Sequence, residues 1–207
     1  MATAKLAKDP YNVIITGVGG QGNVLASRIL GNSLSAKGLS VTIGETFGAS
    51  QRGGSVMSHL RISAEGAWSP QIPGGKADMV VALEPVEALR VLNQYGNPDV
   101  RVISNTRSIY PVGVISGELN YPAMDDLKKW VGELCARAWF VDATNAAMKL
   151  GAAIFGNIMM IGALAAVGEL PLDRETFEAV ISAAMDESKV PKNLEAFDMG
   201  VSMVGNA

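Results

Sequence analysis

Apolar residues occur with two different spacings in the first part of the chain. Residues 11–16 form a short run rich in β-branched side chains, which predicts a strand buried on both faces of a parallel sheet. From Gln21 onward apolar residues recur three or four positions apart, which predicts a helix that ends at Gly38. Residues 40–43 predict a second strand, so this segment is typical of a right-handed βαβ unit.

The remaining pattern continues the alternation and then becomes helical. A polar, glycine-rich loop at 44–54 leads into residues 55–62, whose apolar and polar positions alternate and predict a half-exposed strand. From Ala143 onward only helices are predicted. The other predicted elements are strands at 78–83, 100–103, 111–116 (a weaker one) and 139–142, helices at 84–95 and 125–138, and helix breaks at 168–171 and near Pro191.

Strands that alternate with helices are typical of one α/β architecture. The chain has 207 residues, a length that fits one domain, and it contains no internal repeat or evident linker. We therefore predict a doubly wound, mostly parallel Rossmann-like sheet with a helical carboxyl-terminal region, forming a single domain over residues 1–207.

A Gly-x-Gly-x-x-Gly motif separates the first predicted strand from the first predicted helix. In this setting Gly17 permits a tight turn, Gly19 lets the backbone approach a ligand, and Gly22 lets the helix pack closely against the strand. The helix N-terminus offers free N–H groups and a partial positive charge to a phosphate. The alternative is that these glycines only close a tight turn.

A second glycine-rich loop contains Ser-Gln-Arg-Gly-Gly at residues 50–54. The planar guanidinium of Arg52, with backbone amides around it, suits a phosphate or carboxylate. Because this loop follows the second predicted strand, we expect it at the same edge of the sheet as the first loop, facing one crevice. Taken alone, it is equally well explained as a surface connection with a solvated arginine.

An NAD-dependent oxidoreductase is a second interpretation of the same region. Such an enzyme carries an acid about 20 residues after the glycine motif to bind a ribose hydroxyl, and Glu45 falls near that position. The sequence offers no clear hydride-transfer acid, and we expect His59 to be a solvent-facing or hydrogen-bonded strand residue. A non-catalytic nucleotide-binding or assembly module is a third interpretation.

Composition limits what the chain can hold. It contains one cysteine, Cys135, and one histidine, whereas an iron–sulfur cluster needs about four thiolates and a structural zinc site about four Cys or His ligands. We expect Cys135 to be a small buried residue of a helix, and we predict no metal site. A net charge of −3 argues against nucleic acid as a partner. The chain shows no signal peptide and no membrane span, so we predict a cytoplasmic protein.

The combination of the two loops resembles a known family. Residues 14–22, Ile-Ile-Thr-Gly-Val-Gly-Gly-Gln-Gly, and residues 44–56, Gly-Glu-Thr-Phe-Gly-Ala-Ser-Gln-Arg-Gly-Gly-Ser-Val, resemble gamma-type subunits of the 2-oxoacid:ferredoxin oxidoreductases, especially those that act on indolepyruvate. The resemblance continues at residues 77–89, 104–107, 156–159 and 192–200, and thus covers nearly the whole chain. Asn23 and Phe47 depart from the expected pattern, which leaves the preferred substrate open.

The resemblance implies a subunit of a complex that decarboxylates 2-oxoacids oxidatively, arylpyruvates in particular, forms a CoA ester and passes electrons to ferredoxin. It implies that thiamine diphosphate and iron–sulfur clusters belong to a large alpha subunit and that this chain is inactive alone. A gamma subunit for pyruvate, 2-oxoglutarate or a branched-chain oxoacid is the alternative. No catalytic residue is assigned, and the residues expected to approach a phosphate, CoA or the partner's active site are Gly17, Gly19, Gly20, Gln21, Gly22, Ser50, Gln51, Arg52, Gly53 and Gly54.

Overall fold

A six-stranded sheet with helices on both faces is the frame of the molecule, in a computed structural model that describes residues 6–47 and 53–205. The strands are β1 (Tyr11–Val18), β2 (Ser40–Phe47), β3 (Ser55–Ser63), β4 (Met79–Ala82), β5 (Arg101–Asn105) and β6 (Arg137–Val141). The helices are α1 (Asn23–Ala36), α2 (Pro85–Tyr95), α3 (Val112–Ile115), α4 (Met124–Glu133), α5 (Ala143–Leu150), α6 (Phe155–Val167), α7 (Arg174–Ala184) and α8 (Val190–Gly205).

The strand order is β2-β3-β1-β4-β5-β6, and β3 alone runs opposite to the other described strands. This confirms the predicted mostly parallel, doubly wound sheet. The connection after β1 leads toward one edge strand of the sheet, β2, whereas the connection after β4 leads the other way, to β5. The direction in which strands are added therefore reverses between the neighbours β1 and β4. In open α/β sheets, ligands bind beyond the carboxyl ends of the strands at such a reversal.

The predicted half-exposed strand at residues 55–62 is instead almost wholly buried. β3 lies between β1 and β2 and is antiparallel to both, so side chains on both of its faces are covered. The βαβ unit is present, but its two parallel strands are not neighbours because β3 separates them. β2 also continues to Phe47, where the sequence predicted a loop from Gly44, because pairing with β3 extends it.

Two predicted elements in the second half are wrong. The weak strand at 111–116 is the short helix α3, which begins directly after Pro111. The helix predicted over 125–138 ends at Glu133, because β6 begins at Arg137 and pairs with β5. The helical carboxyl-terminal region is confirmed, with a 3₁₀ turn at Glu187–Lys189 before Pro191.

The core has two layers, one on each face of the sheet. Val13 and Ile15 point into the larger cluster, which α1, α5, α6, α7 and α8 cover, whereas Ile14 points into the smaller cluster under α2 and α4. α6 and α8 cross so closely that glycine is required at the contact. This packing fixes the first turn of α6 at the edge of the sheet where the candidate site lies.

Candidate functional site

A cleft of about 1080 Å³ opens at the carboxyl ends of β1, β4, β5 and β6. It lies at the reversal of strand order, and its volume is just above the usual range for small-molecule sites, roughly 300–1,000 Å³. The residues that line it include Val18, Gly19, Gly20, Gln21, Gly53, Leu83, Asn105–Tyr110, Ile115, Asp142, Thr144, Asn145, Met148, Ala153, Ile154, Gly156 and Asn157.

Gly53 and Gly54, the described part of the second glycine-rich loop, meet the first loop at this cleft, as the sequence predicted. The N–H of Gly19 donates to the carbonyl of Gly54 at 2.8 Å, and the N–H of Gly53 donates to the carbonyl of Gly19 at 3.4 Å. Gly53 has a φ of +77°, which favours glycine. Ser50, Gln51 and Arg52, the other predicted site residues of the second loop, lie outside the described residues.

Gly17 and Gly22 each leave space for a neighbouring side chain. A Cβ at Gly17 would lie 2.6 Å from the Oε1 atom of Gln21, and one at Gly22 would lie 2.2 Å from the Nδ2 atom of Asn157. Gly22 is also the N-cap of α1 and has a φ of +85°. The close neighbour that Gly22 admits is therefore a side chain of α6, whereas the sequence predicted close packing of α1 against a strand.

The side chain of Gln21 stabilises the first loop through two hydrogen bonds. Its Oε1 accepts from the N–H of Val18 at 2.7 Å, and its Nε2 donates to the carbonyl of Leu83 at 2.9 Å. Because Leu83 follows β4 directly, this side chain joins the ends of two neighbouring strands. Both polar atoms of the Gln21 side chain are thus engaged within the protein.

Backbone donors remain at the start of α1. The N–H of Gly19 is used between the loops, but the N–H groups of Gly20 and Gly22 donate to no acceptor within the described residues. No side chain of the described residues caps α1. The partial positive charge of a helix N-terminus and free N–H groups favour an anion at this position.

Asn105, a residue that the sequence did not single out for the site, organises the opposite wall. Its Nδ2 donates to the carbonyl of Leu83 at 3.1 Å and to the Oγ1 of Thr144 at 2.8 Å. Its Oδ1 accepts from the N–H of Ala143 at 3.1 Å, at the start of α5. The signal available was a polar side chain at the carboxyl end of a buried strand, within the Ser-Asn-Thr-Arg segment at 104–107.

Among the described residues that line the cleft, two are charged: Arg107 and Asp142. Asp142 caps α5, its Oδ1 accepting from the N–H of Asn145. The exposed side chain of Arg107 forms no ion pair within the part of the chain that the structure describes. A guanidinium that lines the same cleft as an unpaired backbone amide is suited to a phosphate group.

Two buried glutamates support the wall behind Arg107. Glu84 accepts hydrogen bonds from the N–H groups of Glu87 and Ile109 and from the hydroxyl of Tyr121. Glu87 accepts from the hydroxyl of Ser55 at 2.5 Å. Burial raises the pKa of Glu87 and also that of Tyr121, whose hydrogen bond to Glu84 acts in the same direction. These contacts hold the segment after Arg107 against the sheet.

Exposed apolar side chains line the cleft or lie on the chain segment next to its lining residues. We call Tyr110, Val112, Ile115 and Leu119 the apolar rim; Val112 is 80% exposed and Ile115 is 74% exposed. Met148 and Ile154, on the far side of the mouth, are also exposed. Exposed apolar side chains gathered at a cleft mouth are typical of a surface that contacts another molecule.

Three residues singled out in the sequence lie outside the cleft. Glu45 pairs with Ser58 inside β2, two strands from β1, so it is not at the place of a ribose-binding acid. His59 is 2% exposed rather than solvent-facing, and its Nδ1 accepts from the N–H of Ile72 at 3.3 Å. Cys135 is half-buried just beyond α4, and burial raises the pKa of its thiol.

Neither a metal-ligating cluster nor a membrane-spanning helix occurs in residues 6–47 and 53–205. No group of three or more His, Cys, Asp or Glu side chains there is placed to hold a metal ion. No helix in the same residues is long and apolar enough to cross a membrane.

Comparisons with known proteins agree with this fold. The sequence profile described as "Pyruvate ferredoxin/flavodoxin oxidoreductase" matches residues 12–203. A Thermococcus kodakarensis protein named "Indolepyruvate oxidoreductase subunit IorB" is 39% identical over 192 residues, which cover 92% of this chain and 94% of that protein.

Two solved structures share the fold at low identity. The pyruvate oxidoreductase subunit PORC of Thermotoga maritima superposes with a TM-score of 0.71 at 21% identity, covering 95% of this chain and 97% of that one. The 2-oxoglutarate:ferredoxin oxidoreductase of Magnetococcus marinus, solved with 2-oxoglutarate, coenzyme A and succinyl-CoA bound, gives a TM-score of 0.73 at 20% identity and covers 97% of this chain but 32% of that one.

Proposed function

The chain belongs to the pyruvate ferredoxin/flavodoxin oxidoreductase family, and from that premise we propose that it is the small subunit of a cytoplasmic indolepyruvate:ferredoxin oxidoreductase. The complex removes carbon dioxide from an arylpyruvate, joins the remaining acyl group to the sulfur of CoA, and passes the released electron pair to ferredoxin. The name of the Thermococcus relative supports the choice of substrate. Pyruvate, 2-oxoglutarate and branched-chain oxoacids are the alternative substrates.

The redox groups of this proposal do not fit this chain. A single cysteine, half-buried and with a raised thiol pKa, cannot supply the about four thiolates of an iron–sulfur cluster. We therefore assign thiamine diphosphate and the clusters to a large alpha subunit. In this proposal the small subunit binds and orients CoA, and it is inactive alone.

The cleft is the CoA site in this proposal. The free N–H groups of Gly20 and Gly22 and the guanidinium of Arg107 would bind phosphate oxygens, and a site of about 1080 Å³ accommodates an extended ligand. The presence of coenzyme A in the Magnetococcus enzyme supports the choice of ligand. Since the reacting centre belongs to the alpha subunit, the thiol end of CoA must reach out of the cleft mouth.

The apolar rim would then contact the alpha subunit. Residues 108–124 contain one charged side chain, Glu118, while Val112 and Ile115 are largely exposed. A surface depleted of charge at its centre is typical of protein–protein interfaces. Contact here would place the alpha subunit directly over the opening from which CoA emerges.

Reconstitution with the alpha subunit tests the assignment. We expect indolepyruvate- and CoA-dependent reduction of ferredoxin by the mixture and none by this chain alone. Faster turnover of pyruvate, 2-oxoglutarate or a branched-chain oxoacid would contradict the substrate, and turnover by the isolated chain would contradict the division of labour.

The substitution Arg107→Ala tests the cleft in the same assay. Loss of one exposed charge-assisted contact should raise the KM for CoA about tenfold and leave the KM for indolepyruvate unchanged. Arg137→Ala is the matched control, because Arg137 is an exposed arginine stacked on Trp139 at the amino end of β6, away from the cleft. If the KM for CoA is the same in Arg107→Ala and Arg137→Ala, the CoA site is refuted.

A further inference from the structure

Asn157 is a buried amide, and only one of its two polar side-chain atoms has a hydrogen-bond partner among the described residues. It lies in the first turn of α6, lines the cleft and is 2% exposed. Its Nδ2 donates to the carbonyl of Gly22 at 3.3 Å. Its Oδ1 has no hydrogen-bond partner among the described residues.

The orientation of this amide is fixed by its neighbour. Because the carbonyl of Gly22 can only accept, the nitrogen of Asn157 must face it and the oxygen must face away. The Nδ2 atom lies 2.2 Å from the position of a Cβ on Gly22, so it fills the space that this glycine leaves open. The amide of this cleft-lining residue is thus held with its oxygen directed away from Gly22.

An unpaired buried carbonyl is costly. Leaving such a group without a donor destabilises a protein by about 1–3 kcal/mol. Asn157 is also the one polar side chain of α6, whose other residues are glycine or apolar. The bond to Gly22 accounts for the amide nitrogen but not for the oxygen, and because Asn157 lines the cleft, a ligand bound there is a source of the missing donor.

We propose that the Oδ1 of Asn157 accepts a hydrogen bond from an uncharged N–H or O–H group of the ligand in the cleft. This inference rests on the proposed function, in which the ligand is CoA. A carbonyl oxygen repels phosphate oxygens, so Asn157 cannot bind the anionic part that Gly20 and Arg107 bind. It therefore selects a neutral donor, which in CoA is either an amide of the pantetheine arm or a hydroxyl or amino group of the adenosine.

Titration calorimetry of the full chain with CoA tests the contact. Asn157→Leu keeps the size of the side chain and removes both polar atoms, and Asn157→Ala is a second variant in case the leucine does not fold. We expect CoA to bind about three- to tenfold more weakly to each, the effect of losing one neutral hydrogen bond. Asn193→Leu is the control, because Asn193 is a buried amide of α8 that donates to the Lys189 carbonyl outside the cleft.

Fragments of CoA identify the donor. Pantetheine and adenosine 3′,5′-diphosphate are titrated separately into the wild type and the Asn157 variants. Weaker binding of pantetheine alone assigns an arm amide, and weaker binding of the diphosphate alone assigns a hydroxyl or amino group of the adenosine. Equal binding of both fragments and of CoA to the wild type and to both variants would overturn the inference.

The same titrations separate this inference from the proposed function. Absence of CoA binding to the wild-type chain and to the reconstituted complex would refute the CoA assignment itself. Binding to the wild type that is unchanged in the Asn157 variants would refute only the role of Asn157. In the complex, the variants should raise the KM for CoA and leave the KM for the oxoacid unchanged.

Discussion

The crossing of α6 and α8 leaves no space for a side chain at Gly200. A Cβ built there would lie 1.9 Å from the carbonyl oxygen of Met159, and one at Gly162 would lie 2.1 Å from that of Phe197. Both obstacles are backbone atoms, which cannot move aside as a flexible side chain can. Met159 is two residues from Asn157, so a displacement of α6 at this crossing also reaches the cleft.

Two opposing effects set the size of the change in Gly200→Ala. In an open helix, alanine is more stable than glycine by about 0.5–1 kcal/mol. Here the helices must separate by about 1.1 Å to bring the contact from 1.9 Å to 3.0 Å, the closest distance that real Cβ atoms show. Overpacking of this kind costs about 1–3 kcal/mol or more. We expect a net loss of about 1–2 kcal/mol, or roughly 2–8 °C in Tm.

Urea unfolding followed by circular dichroism measures this change. Gly132→Ala in α4 is the matched control, because no described atom beyond its chain neighbours and the nearby backbone of its own helix lies within 4 Å of a Cβ placed there. We expect this control to raise the free energy of unfolding by about 0.5–1 kcal/mol. If Gly200→Ala proves as stable as Gly132→Ala, the close crossing of the two helices is refuted. A shifted α6 should also weaken CoA binding in Gly200→Ala alone.

Three further predictions concern stability. Burial holds the pKa of His59 below its ordinary 6.5. The buried neutral imidazole therefore contributes stability above pH 6.5, and this contribution is lost as the pH falls. In His59→Gln, the urea midpoint should decrease less between pH 7.5 and pH 5.5 than it does in the wild type. The ion pair with Lys37 and the capping bond at the start of α7 lower the pKa of Asp173 to about 2. Asp173→Ala should lower the free energy of unfolding by about 1 kcal/mol at pH 7. In thermal unfolding, its difference from wild type should shrink between pH 4 and pH 2, because protonation of the carboxylate removes these contacts from the wild type. Tyr121→Phe removes one donor to the buried Glu84 and should lower the free energy of unfolding by about 1 kcal/mol, measured against wild type in the same urea assay; unchanged stability would show that the tyrosine hydroxyl does not support Glu84.

Local patterns predicted most elements correctly because their side-chain spacing reflects which faces are buried. β1, α1 and α2 lie where the spacing of apolar residues placed them within a few residues. The meeting of the two glycine loops was also predictable, since both follow strands that run in the same direction. The single-domain assignment for residues 1–207 and the roles of Ser50, Gln51 and Arg52 stay predictions.

The errors arose where distant segments meet. β3 alternates like a half-exposed strand, yet it is buried because two strands flank it and helices cover the sheet. Its insertion beside β1 also moves Glu45 away from the glycine motif, which removes the structural reason for an NAD site there. Neither pairing partner nor strand order is encoded in the spacing of a single segment.

The sequence by itself determined what the chain cannot hold: with one cysteine, no arrangement of the backbone creates the roughly four thiolates of a cluster. It also determined the alternation of strands and helices, because burial of one face or two requires a definite spacing of apolar residues. Only the tertiary structure decided which polar groups remain available in the cleft. The N–H of Gly19 and the side chain of Gln21 are engaged within the protein, whereas the N–H of Gly20 and the Oδ1 of Asn157 have no partner among the described residues. Hydrogen bonding depends on distances between segments far apart in the chain, so it is settled only when the chain has folded.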